Sequence, residues 1–264
     1  MTALEAVGLL RPARRRGFCP ACSGWNPEPY ERELAPPALL TAVGLLVAAG
    51  AWAALVVQSR SPVGMSGMSM GLGPLPSFAA TWILMTAAMM LPSAAPLLFE
   101  FARGAERRRG WLPASVLLGL AYLAVWLAFG LATFLLYGAL RMPWPHQALV
   151  GGIALAAAGL YGLSPLKRAS EARCRELCAL HSSLPFGLKR SAVIVGTRYG
   201  LSCIGCTGAL MVALVAIGMS SLAWTGLVAA FVLIYKLGPA PGGTQRMALA
   251  AALVTLGSLI AVVG

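Results

Sequence analysis

The sequence is poor in charge: it holds no aspartate and only two histidines, and charged residues make up 11% of its 264 positions. Soluble domains carry about 25% charged residues, so a water-soluble globule of this length would lack the charge to cover its surface. A soluble enzyme, a disordered chain and a collagen-like fibre are therefore excluded. The absence of a Walker Gly-Lys-Ser/Thr sequence and of any aspartate to phosphorylate also excludes an ATP-driven pump.

What the sequence has instead is long apolar runs, with 59% hydrophobic residues and a mean hydropathy of +0.79. About 20 apolar residues in a helix cross the hydrocarbon core of a bilayer. We therefore predict an all-α, polytopic transmembrane helix bundle in a cell (inner) membrane, with residues 1–37 as an N-terminal extension and 38–264 as the bundle. About seven spans are predicted, at 38–58, 77–100, 111–138, 146–166, 199–219, 222–238 and 247–263.

The positive charges predict the orientation of these spans. In this topology 18 of the 20 Lys and Arg residues fall on one side, and only Arg60 and Arg141 on the other. Because basic loops stay in the cytoplasm, the N-terminus is predicted to be cytoplasmic. The net charge of +12 is then explained by arginines that anchor helix ends against lipid headgroups. We accordingly expect the lipid bilayer, and no nucleic acid, as a partner.

Methionines dominate the predicted outer side. Met65, Met68 and Met70 lie in a polar, glycine-rich loop that has no core to fill. Thioethers are soft ligands that suit Cu(I), and unlike thiols they form no disulfides in an oxidising compartment. The loop is therefore a candidate copper site, and the alternative is a flexible loop in which the methionines are incidental.

The second predicted span continues this pattern. Met85 and Met89 are four residues apart and share a helix face, and Pro92 and Pro96 follow. A proline inside a helix removes a hydrogen bond and favours a kink, which membranes tolerate mainly where the helix lines a cavity. A ladder of methionines from the outer loop to mid-membrane is one interpretation. The other is that methionine fills irregular space beside the kink.

Cysteines lie on or near the predicted inner side. Cys203 and Cys206 form a Cys-Ile-Gly-Cys sequence near the predicted inner end of the fifth span, where a spacing of three places both on one helix face. Such a pair suits a shared metal ion. It also suits thiol–disulfide exchange, and plain buried thiols are the third interpretation.

Two further cysteine segments are candidate ligands. Cys174, Cys178 and His181 would share one face if the loop 167–190 were helical. Two thiols and an imidazole on one face could form a transition-metal site, and the alternative is an amphipathic interfacial helix with incidental cysteines. Cys19 and Cys22 resemble half of a zinc ribbon. Zinc there would need ligands from another segment or subunit.

The chain resembles the family called domain of unknown function 2182, described as predicted metal-binding integral membrane proteins, over residues 60–238. Three ordered blocks carry the resemblance: Met89-Met90-Leu91-Pro92-Ser93 with Pro96; Tyr161-Gly-Leu-Ser-Pro165-Leu-Lys167-Arg168 followed by Cys174-Arg175; and Cys203-Ile-Gly205-Cys206 followed by Leu210-Met211 and Gly218-Met219. The resemblance implies a multi-pass bacterial membrane protein that binds metal. The chain departs from the family pattern at Ser170, Arg173, Thr207 and Tyr235, where Cys, His, Cys and Glu respectively are usual.

The distribution of sulfur leads to one main hypothesis. Thioethers on the oxidising side and thiols on the reducing side predict an integral membrane protein that binds or relays a soft metal such as copper, with a metal donor or acceptor protein as a possible partner. A membrane thiol–disulfide oxidoreductase that uses Cys203 and Cys206 is the alternative enzyme, and a scaffolding membrane subunit is the third class. The sequence leaves the oligomeric state open.

Overall fold

A computed structural model describes residues 35–60, 73–105, 109–140, 147–179, 187–217, 222–237 and 242–263. All regular structure in these ranges is α-helical, as the sequence predicts. The helices are α1 (Ala35–Arg60), α2 (Leu75–Ala105), α3 (Trp111–Ala139), α4 (Gln147–Tyr161), α5 (Pro165–Ala179), α6 (Leu188–Ile217), α7 (Leu222–Leu237) and α8 (Gly243–Val263).

Helices α2 and α6 form the centre of the bundle. In the most apolar window of each, 67% of the residues are buried, against 17% in α1 and 11% in α8. The peripheral helices expose large apolar side chains such as Leu46, Leu135 and Val262. Outer surfaces of this kind match lipid tails, because a lipid-facing helix gains nothing from a polar face.

Five helices, α1, α2, α3, α6 and α8, are long and apolar enough to cross a membrane, and a sixth span results if α4 and α5 are taken together. Helix α7 has 16 residues, fewer than the about 20 that a perpendicular span needs. The predicted count of seven therefore stays a prediction, as does the orientation of the N-terminus.

The helix that contains the predicted fifth span begins before the span does. Helix α6 begins at Leu188, eleven residues before the predicted residue 199. Lys189, Arg190 and Arg198 lower the local hydropathy, yet their side chains are exposed and the helix continues beneath them. Cys203 and Cys206 consequently lie near the middle of the helix and not at its inner end.

Helices α4 and α5 meet at a sharp break. Their axes are bent by 68° across residues 162–164. The Ser164 side chain accepts a hydrogen bond from the Lys167 backbone N–H (3.1 Å), and Pro165 occupies the first helical position, so α5 starts with a regular N-cap. The break directs α5 against α6, while α4 packs between α6 and α8.

The predicted methionine pair lies in the interior of the bundle. Met85 and Met89 in α2 are both almost fully buried. Helix α2 runs unbroken from Leu75 to Ala105 with both prolines inside it. Nearby, the Trp82 indole N–H donates to the Trp126 carbonyl of α3 (2.8 Å). The two methionines thus lie in the packed core, and their role as ligands stays a prediction.

Candidate metal site

A cavity opens where α5 meets α2, α6 and α7. Its walls carry thiols, aromatic rings, cations and one carboxylate, contributed by Ser93, Pro96, Glu171, Cys174, Arg175, Tyr199, Cys206, Tyr235 and Lys236. The proline-containing segment of α2 and one cysteine of the Cys-Ile-Gly-Cys sequence therefore face the same space. A sulfur site inside the bundle requires ligands that face a common interior space and not the lipid, and this arrangement meets that requirement.

Two thiols from different helices meet at this cavity. The Sγ atoms of Cys174 in α5 and Cys206 in α6 are 3.8 Å apart. Both side chains are buried, and neither forms a disulfide. Two metal–thiolate bonds of about 2.3 Å would span this distance with an angle of about 110° at the metal. One ion therefore fits between the two sulfurs without backbone movement.

Gly205 makes this approach of α5 to α6 possible. A Cβ added at Gly205 would lie 2.2 Å from Ser170 Oγ and 2.8 Å from Ser170 Cβ. The Tyr161 hydroxyl, at the end of α4, donates to the Gly205 carbonyl (2.7 Å). The absent side chain and this hydrogen bond together hold the break in the α4–α5 pair against the middle of α6.

Cys203 has a different environment from Cys206. Its side chain is completely buried, and its sulfur accepts a hydrogen bond from Lys236 Nζ (2.7 Å). The Tyr122 hydroxyl lies 3.3 Å from the same sulfur. The two cysteines of the Cys-Ile-Gly-Cys sequence thus have different neighbours. Cys206 contacts a second thiol at the cavity, and Cys203 contacts the Lys236 ammonium.

A buried charge cluster forms one edge of the cavity. The Glu171 carboxylate is 3.0 Å from Arg246 of α8 and 4.0 Å from Lys167 of its own helix. It also accepts a hydrogen bond from the Tyr235 hydroxyl of α7. One carboxylate thereby ties three helices together, and ionisable groups at such depth commonly mark a functional region of a membrane protein.

The donor set favours a metal with low coordination. Within the described ranges no three His, Cys, Asp or Glu side chains converge as a metal-ligand group. A structural zinc takes four ligands, which the Cys174–Cys206 pair does not supply. Soft thiolates select Cu(I), and the bent angle of about 110° at the ion leaves a position for a third soft ligand, so the pair suits Cu(I) better than zinc.

Several predicted ligands lie outside the described residues. These are Met65, Met68 and Met70, His181, and the proposed zinc pair Cys19 and Cys22. Cys178 belongs to α5, but its side chain also lies outside the described part. The segment 167–190, whose helicity was the condition for a shared face, is helical as far as Ala179, and this helix brings Cys174 to the site.

Sequence reasoning missed the charged and aromatic members of the site. Lys236 is one of the 18 basic residues that the predicted topology assigns to the cytoplasmic side, and Glu171 is not among the predicted site residues. A signal for both was present, because Lys236 follows an apolar run directly and Glu171 lies three residues before Cys174. Neither spacing reveals that the two residues, from different helices, line one cavity.

Fold and site together define a class: a helical bundle with membrane-length apolar helices and a buried thiol pair suited to a soft metal. Comparison with known families agrees with this class, since the model of the copper chaperone family PpoB2 matches residues 79–260, more than two thirds of the chain. The chain belongs to this copper chaperone family. No curated protein and no solved structure matches it.

Proposed function

We propose that the protein is an integral membrane copper chaperone that holds Cu(I) between Cys174 and Cys206 and passes it on by ligand exchange. The observation that carries the proposal is the 3.8 Å separation of the two sulfurs in a cavity between four helices. Membership of a copper chaperone family supports the choice of metal. Ligand exchange between thiols needs no ATP.

The break between α4 and α5 supports a role of the site in metal transfer. Discontinuous helices in membranes occur where they line cavities, and substrate sites lie at such breaks. On this proposal the two helices together form one broken span, the N-terminus is cytoplasmic, and the protein resides in the inner membrane. Copper would exchange with Met65, Met68 and Met70 on the outer side and with a donor or acceptor protein.

Lys236 supports the proposal through charge. A Cu(I) ion with two thiolates carries a net charge of −1, which is costly to bury without a counter-charge. The Lys236 ammonium lines the cavity and already contacts the sulfur of Cys203. The same cation is placed to compensate a copper-bound thiolate pair, and Cys203 is one helical turn away as a further sulfur.

The experiment is Cu(I) titration of the purified full chain in detergent against a chromophoric Cu(I) chelator. We expect Cys174→Ser and Cys206→Ser each to lower the affinity at least tenfold, since each removes one of two ligands. Val193→Ser is a matched control, because it introduces the same side chain at an exposed position of α6. Wild-type affinity in both cysteine variants would exclude the thiol pair as the binding site.

The same variants test the alternative oxidoreductase. Thiols 3.8 Å apart are also close enough to form a disulfide after a small rotation. The sequence-based alternative uses Cys203 and Cys206, whereas the sulfurs that lie close together are those of Cys174 and Cys206. An oxidoreductase at this site therefore predicts a Cys174–Cys206 disulfide that forms and breaks reversibly with a quinone, seen as alkylation mass shifts. A chaperone predicts that both thiols stay reduced through a full cycle of copper binding and release.

A further inference from the structure

We propose that this site receives copper as an anionic complex with a small, carboxylate-bearing thiol of the glutathione type. The inference rests on the proposed function and adds the chemical form in which copper arrives. It is carried by two observations at one cavity: the depth of the thiols and the sign of the charges around them.

Depth limits the size of the donor. Only 8% of Cys174 and 5% of Cys206 is exposed to solvent. A folded donor protein presents its own cysteines on its surface and would have to insert them between α5 and α7 to reach these sulfurs. The cavity has room for about 40 Å³, enough for a thiol side chain but not for the body of a donor. A small, flexible thiol can present its copper-bound sulfur at the cavity mouth without such an insertion, so the recessed pair favours a small donor.

Charge selects the sign of the donor. Arg175 and Lys236 line the cavity together with a single acid, Glu171. That acid already lies 3.0 Å from Arg246 and 4.0 Å from Lys167, so cations outnumber carboxylates at the site. Such a surface repels a hydrated metal cation and attracts an anion, since clefts lined by one sign of charge concentrate ligands of the other sign.

The transfer of copper from the small thiol to the two cysteines conserves bonds, protons and charge. Two copper–sulfur bonds, one to each of two molecules of the small thiol, break, and two form with Cys174 and Cys206. The protons of the two cysteine thiols pass to the departing thiolates, and copper remains Cu(I) throughout. The copper–dithiolate core carries a charge of −1 before and after the exchange, so the cations that attract the donor also stabilise the loaded site.

The test compares two copper sources on the full chain in neutral phosphatidylcholine nanodiscs. Cu(I)–glutathione supplies the anionic donor, and Cu(I)–acetonitrile supplies a cationic one. We expect Arg175→Glu to slow loading from glutathione about tenfold at low salt, the lower end of measured electrostatic steering, and not to slow loading from acetonitrile. Arg173→Glu is the matched control, because Arg173 belongs to the same helix and is exposed away from the cavity.

Four outcomes would overturn the inference. The first is that Arg175→Glu slows copper loading from both sources equally, and the second is that Arg175→Glu and Arg173→Glu have equal effects. The third is an Arg175→Glu effect seen only in nanodiscs with phosphatidylglycerol. The fourth is faster loading from a copper-carrying protein than from Cu(I)–glutathione. The third would assign Arg175 to lipid headgroups. The final copper content is measured separately from the loading rate. Loss of copper in Cys206→Ser tests the proposed function, and the dependence of the Arg175→Glu loading rate on the copper source tests only this inference.

Discussion

Replacement of Gly205 by alanine tests how the bundle assembles its thiol pair. The new Cβ would lie 2.2 Å from Ser170 Oγ, whereas Cβ contacts under 3.0 Å are essentially never seen. Rotation of the Ser170 hydroxyl would break its hydrogen bond to the Leu166 carbonyl (3.0 Å) and still leave Ser170 Cβ at 2.8 Å. Helix α5 must therefore move away from α6, by up to about 0.8 Å if the hydroxyl stays in place.

This movement is large enough to change the separation of the two sulfur atoms that would hold the ion. Added to the present 3.8 Å, it brings the sulfur separation to about 4.6 Å, which straightens the angle at an ion with two bonds of about 2.3 Å from about 110° to about 180° and removes the position for a third ligand. We expect Cu(I) affinity to fall about 10- to 100-fold, the usual cost of disturbing the residues that position metal ligands. Competition with a chromophoric Cu(I) chelator measures the loss.

Two further variants make the experiment decisive. Gly119→Ala is the matched control, since nothing lies within 4 Å of a Cβ at that position, and it should bind copper as the wild type does. The double variant Gly205→Ala with Ser170→Gly removes both clashing atoms and should recover most of the affinity. If Gly205→Ala alone binds copper within twofold of the wild type, close packing of α5 on α6 does not build the site.

Two predictions concern stability. Glu171→Gln should destabilise the protein by about 3 kcal/mol, because it leaves buried cations without their counter-charge, whereas the exposed Glu176→Gln should change the thermal midpoint little; equal midpoints for the two variants would refute the role of the charge cluster. Gly130→Ala should cost about 1–3 kcal/mol through overpacking, because its Cβ would lie 2.3 Å from the Trp82 indole. Gly138→Ala, which meets nothing within 4 Å, is the control in the same thermal assay, and a Gly130→Ala midpoint equal to that of Gly138→Ala would contradict the packing argument.

Hydropathy marks the apolar part of α6 and not the start of the helix, for a physical reason. Lys189, Arg190 and Arg198 interrupt the apolar run, yet the helix passes through all three, because long basic side chains extend to the surface without breaking backbone hydrogen bonds. Cys203 and Cys206 therefore lie near the start of the apolar run but at the middle of the helix.

The sequence by itself determined that the chain is helical and apolar enough for a membrane, because these properties follow from composition and from runs of about 20 residues. It also determined that Cys203 and Cys206 share a helix face, since helical period is a local property. Only the tertiary structure decided the partners of these thiols. Cys206 meets Cys174 because of a bend of 68° and a side chain absent at Gly205. Cys203 meets Lys236 because α7 packs on α6, and contacts between distant helices leave no periodic trace in the sequence.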